Sequence, residues 1–168
     1  DGLSDPAVRV VAAIGTLSAA AALAAAIPAS QGGPRLSLVN ALALLPHPEA
    51  VPDLLRLAAS PERDLRLAAL TALAATGDAR AGDVLLAATQ DASRYARAAA
   101  DEAYIAFLGR RIQAGHPVEA AAAAIAFADG RREPLHLQCA CLYILSTAGA
   151  EAAVDAVLGA LSSSELRV

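Results

Sequence analysis

Arginine returns at a fixed interval in this chain: Arg35, Arg66 and Arg97 stand 31 residues apart. A period of that size limits the fold sharply, because each unit is too short to bury a core alone and must stack on its neighbours. The stretch Asp64 to Gly77, DLRLAALTALAATG, defines the unit. One period earlier, Ala41-Leu42 falls on Ala72-Leu73; one period later, Ala99-Ala100 falls on Ala68-Ala69 and Tyr104 on Leu73. Asp5-Pro6-Ala7-Val8-Arg9 opens an earlier copy. Leu137 to Gly149 is a later one, with Ala140-Cys141-Leu142 over Ala68-Ala69-Leu70 and Gly149 over Gly77. Glu165-Leu166-Arg167 starts one more. The marks are 9, 35, 66, 97, 138 and 167, and Gln138 alone is not arginine.

Composition sets the class of the unit. Alanine accounts for 47 of 168 residues, and only 3% are aromatic. Alanine is the best helix former and lets helices approach closely. The chain therefore reads as all-α. Each unit reads as two helices, with second helices at 6–17, 34–45, 61–75, 92–113 and 132–147. The first helices lie between them, at 18–28, 48–59, 79–90, 116–128 and 150–162. Breakers mark the turns: Pro28 to Pro34, Pro46-His47-Pro48, Ser60-Pro61, Gly77-Asp78, Gly115-His116-Pro117, Asp129-Gly130 and Gly149. Ser60, Asp78, Asp91 and His116 are the expected caps.

Asp5-Pro6-Ala7-Val8-Arg9 with Ala12-Ala13, Leu65-Arg66-Leu67-Ala68-Ala69 with Leu73 and Gly77-Asp78, and Pro48 to Leu55 together resemble the HEAT-repeat family. The resemblance covers essentially the whole chain. It implies a right-handed α-solenoid of about five HEAT-like hairpins, an armadillo-like superhelix. Residues 1–168 would form one repeat array. The Leu65 to Leu86 unit also resembles the HEAT-like repeats of bilin-lyase-type proteins. The fourth unit is longer, with 41 residues from Arg97 to Gln138. Such long units are similar to those of HEAT arrays in large multidomain bacterial proteins. The excess of Ala, and of Arg with no Lys, matches a GC-rich bacterial coding bias. Neither end reads as a capping repeat, so a fragment of a longer solenoid or multidomain chain is expected.

On a helical wheel of Asp64 to Thr76, Leu65, Ala68, Ala69, Ala72, Leu73 and Thr76 share the core side. Arg63, Leu67, Leu70 and Ala74 fall opposite, with Thr71 at the edge. The repeat register carries that outward side to Leu36, Val39 and Asn40, to Ala98, Asp101 and Glu102, and to Cys139, Leu142 and Tyr143. The resemblance implies that this helix lines the concave face. A protein or peptide partner is therefore expected there, with Leu36, Val39, Asn40, Arg63, Leu67, Leu70, Arg94, Asp101, Cys139 and Tyr143 as candidate contacts. Tight curvature burying these apolar positions is the structural alternative.

Other functions find less support. Net charge is −4 and the pI about 5.3, which argues against a phosphate-binding surface. The repeated arginines have Asp or Glu nearby, as a structural ladder needs. The scarcity of aromatics removes stacking platforms for single strands. A DNA-binding HEAT-like protein is thus a weaker reading. His47, His116 and His136 lie in three different units, and no nucleophile elbow, Walker or dinucleotide glycine pattern occurs. No catalytic residue, cofactor or metal ligand is expected; the chain reads as non-enzymatic. The alternative is an accessory module of a larger enzyme whose catalytic domain lies elsewhere.

Two stretches need separate treatment. Leu17 to Ala29 is apolar but far short of the ~20 residues that span a bilayer. No leader is visible before Asp1, so the cytoplasm is the default compartment, with export following from any signal upstream. His136-Leu137-Gln138-Cys139-Ala140-Cys141 resembles a metal or redox motif. Two residues along a helix turn the thiols about 200° apart, so they cannot chelate one ion or close a disulfide. Cys141 takes the core slot of Ala69, and Cys139 the outward slot of Leu67.

Overall fold

The structure is a computed structural model that describes residue 8, residues 17–129 and residues 135–163. The expected first second-helix at 6–17, the marks at Arg9 and Arg167, and residues 131–134 fall almost entirely outside these. The described residues are helical and contain no strand. In chain order the helices are α1 (Leu17–Ala26), α2 (Gly32–Leu44), α3 (Val51–Leu57), α4 (Arg63–Thr76), α5 (Gly82–Ala88), α6 (Arg94–Gln113), α7 (Pro117–Asp129), α8 (Leu135–Ala148) and α9 (Ala150–Ser163). Short 3₁₀ turns, Pro48–Ala50 and Ala79–Ala81, lead into α3 and α5. Among the described residues, the helices expected from residue 18 onward are present, an all-α architecture of the solenoid kind.

The turns are built by the residues that the sequence marks for them. Ser60 Oγ accepts from the Glu62 N–H at 3.2 Å ahead of α4, and Asp91 Oδ1 accepts from the Ser93 N–H at 2.7 Å ahead of α6. Asp78 Oδ1 accepts from the Arg80 N–H at 2.9 Å. His116 stands just before α7, its carbonyl accepting from the Ala120 N–H at 3.2 Å and its Nδ1 lying 3.4 Å from Glu119 Oε2. Gly77 ends α4 in the left-handed region at φ 63°, where a side chain would cost about 1–2 kcal/mol.

The chain divides into two compact units, Asp1–Tyr104 and Ile105–Val168. In the first, α1 packs on α2, α2 and α3 pack on α4, and α4 meets α5. Leu23, Ile27, Leu38, Leu42, Leu54, Leu73 and Leu85 are sealed in its core. Burying a leucine of this kind is worth roughly 1.5–3 kcal/mol. In the second unit, α7 packs on both α8 and α9, and α8 on α9. Ala121 and Ala124 are fully buried on α7, and their small size lets the neighbours approach.

The recurring arginines connect repeats. Arg66 Nη1 donates to the Ser60 carbonyl at 2.8 Å, and Arg97 Nη1 to the Asp91 carbonyl at 3.1 Å. The two bonds have the same register, six residues back. Arg66 Nη2 also lies 4.0 Å from Asp91 Oδ2, so the guanidinium of one repeat reaches the turn of the next. Asp64 does not pair with Arg66, as its position in sequence suggests; it pairs with Arg63 at 3.1 Å.

A third arginine holds a turn in the second unit. Arg111 Nη2 donates to Glu119 Oε2 at 2.8 Å, and this bond is the main reason that the Glu119 carboxyl titrates below its usual range. A carboxyl lowered by folding stabilises above its unfolded pKa, and that contribution is lost as pH falls through the folded value. Glu119→Gln is expected to remove this part of the acid sensitivity. Urea midpoints compared at neutrality and at about pH 3 measure it, and an unchanged difference between the two would refute the assignment.

Candidate interaction surface

α4 shows which side of a second helix is wet. Asp64 and Thr71 are exposed and Leu67 and Ala75 half-buried, along one stripe. One repeat back the same register gives Gly33, Leu36, Asn40 and Leu44; one repeat on it gives Tyr95, Ala98 and Glu102. Every one of these is exposed or half-buried. The agreement over three repeats defines a second-helix face.

Three of the candidate contacts do not lie on it. Val39 is 0%, Leu70 3% and Asp101 6% exposed. All three occupy one slot of the repeat, one position before Asn40, Thr71 and Glu102. The reason is the neighbouring repeat. Leu70 lies on the same stripe of α4 as Arg63 and Arg66, and these reach Tyr95 on α6 and Asp91 in the turn before it. Arg63 at its start stays exposed, whereas Leu70, two turns further along, is closed off from solvent. Ala74, also expected outward, is buried for the same reason. Asp101 is buried and partnered within the fold.

The remaining candidates fall into two groups. Leu36, Asn40, Arg63, Leu67 and Arg94 belong to the first unit, at exposed or half-buried positions of α2, α4 and α6. Leu36 and Arg63 come together in an open cleft of about 420 Å³, lined also by Gly32, Gly33, Glu62, Asp64 and Leu65. Arg63 sits over the Tyr95 ring, 5.5 Å from its centre. A stack of this kind contributes about 0.5–1 kcal/mol at an exposed site. It holds an aromatic platform beside the cleft, with Tyr95 67% exposed.

The sequence reading did not single out Gly32, Gly33 or Tyr95. One signal for Tyr95 was available: it stands at the wet register position of Gly33 and Asp64, where an aromatic has no core role. The cleft has apolar walls in Leu36 and Leu65 and mixed charge at its rim. Arg63 is offset by Glu62 and Asp64, so no concentrated positive charge faces solvent. Its charged lining is the Arg63 guanidinium between the Glu62 and Asp64 carboxylates.

Cys139 and Tyr143 form the second group, on the exposed side of α8 with Leu142. Here the repeat register breaks. Leu142 is 64% exposed although it occupies the slot that is buried at Val39, Leu70 and Asp101. Cys141 faces inward at 1% exposure, as expected, and burial raises its thiol pKa. Cys139 is exposed. A maleimide or disulfide reagent is therefore expected to label one thiol per native chain, and two after denaturation. Peptide mapping that finds Cys141 modified in the native protein would contradict the packing.

The histidines stay apart. His47 Nδ1 accepts from the Glu49 N–H at 3.4 Å in a turn, His116 pairs with Glu119, and His136 is exposed on α8. Among the described residues, no group of three or more His, Cys, Asp and Glu could hold a metal ion. No helix among them is long and apolar enough to cross a membrane.

Comparison with known families finds a match: a family model described as HEAT repeats aligns to residues 21–105. The matched span runs from α1 into α6 and contains the cleft and the wet register of three second helices. Comparison with curated proteins finds no match.

Proposed function

The chain belongs to the HEAT-repeat family, and from that premise we propose that it is a non-enzymatic scaffold holding a protein or peptide against its second-helix face. HEAT repeats generally serve as protein-interaction scaffolds and are typically non-catalytic. The observation that carries the reading to this chain is the cleft where Leu36 and Arg63 meet, beside the exposed Tyr95 ring. An apolar pocket edge, a cation and an aromatic are the groups that interfaces favour as anchors. The face around them supplies Asn40, Leu67, Thr71 and Glu102 as a polar and half-buried surround. Binding would centre on Leu36, Arg63 and Tyr95 rather than on all the second helices equally.

The test is a comparison of partners captured by the immobilised chain and by a Leu36→Asp, Arg63→Glu variant. Both side chains are at the surface, so the thermal midpoint is expected to stay within a few degrees. Specific partners are expected to be lost, by tenfold or more in affinity for a double anchor change. Partners retained by the variant would move the interface off this face. A gel shift at low salt, sensitive to added salt, would favour nucleic acid instead; none is expected from a rim of mixed charge.

A further inference from the structure

We draw no further inference here: the strongest candidate, the exposed apolar stripe of Cys139, Leu142 and Tyr143 on α8, is an unpartnered helix face, and nothing in the structure shows what covers it.

Discussion

Leu70→Asp is expected to unfold the first unit, while Thr71→Asp, one residue further on, is expected to leave it intact. Leu70 is 3% exposed and lies on the stripe of α4 that faces the next repeat. An aspartate there loses the burial of a leucine, leaves a gap and puts a carboxylate where water cannot reach it. The first two effects cost about 2–5 kcal/mol, and the uncompensated polar group adds at least ~1–3 more. Domains of this size are stable by only about 5–15 kcal/mol, so the sum removes most or all of the margin. Thr71 is exposed, and the same aspartate there should change stability by no more than ~0.5 kcal/mol. Urea unfolding followed by far-UV circular dichroism compares the two variants directly. A Leu70→Asp protein as stable as the parent would return that residue to the solvent face and rotate the proposed interface by about 100°.

That contrast locates what the sequence shows and what it conceals. Repeat register alone separates buried Cys141 from exposed Cys139, because Ala69 and Leu67 define those slots. It also predicts helix bounds closely: Arg94–Gln113 and Arg63–Thr76 lie within a residue or two of their expected spans. Breakers such as Gly77, Ser60-Pro61 and Gly115-His116-Pro117 are local chemistry, so they need no tertiary knowledge. The direction of the wet side is different. α1 is apolar nearly all round, and on α4 Leu67, Leu70 and Ala74 stand opposite the core side, so a helical wheel has little apolar contrast from which to take its bearing. α4 packs on α2, α3 and α5, and Arg63 and Arg66 reach the start of the next repeat, which leaves a stripe of one or two positions per turn instead of half the perimeter. Val39, Leu70 and Asp101 were misplaced together because register copies one error to every repeat.

The cleft was hidden for a related reason. Gly32 and Gly33 read as a connecting loop, yet they open α2 beside the start of α4. That neighbourhood depends on how two helix ends stack, which no local pattern records. Of its lining residues, Leu36 and Arg63 follow from register, Leu65 reads as core, and Glu62 and Asp64 are among the carboxylates near a repeated arginine.

Arg66→Ala is expected to cost about 1–2 kcal/mol, more than an ordinary surface arginine, because its guanidinium holds two repeats at once. The Nη1 bond to the Ser60 carbonyl, 2.8 Å and part-buried, is charge-assisted and accounts for most of that cost. The approach to Asp91, at 4.0 Å with both side chains about a quarter to a third exposed, adds at most ~0.5 kcal/mol. A double-mutant cycle with Asp91→Ala isolates the second contribution. The same register suggests a gain. Arg35 stands where Arg66 stands, and the position 25 residues on is Ser60 instead of Asp91. The Arg35 Nε is buried without a hydrogen-bond partner, so this rung of the ladder lacks its carboxylate. Ser60 and Asp91 both accept from the N–H two residues on, so an aspartate at 60 preserves the turn. Ser60→Asp is therefore expected to stabilise by a few tenths to about 1 kcal/mol. Arg35→Gln should abolish the gain if the new carboxylate reaches that guanidinium. A stabilisation that survives Arg35→Gln would mean that the aspartate acts on the helix start of α4 and not on the ladder.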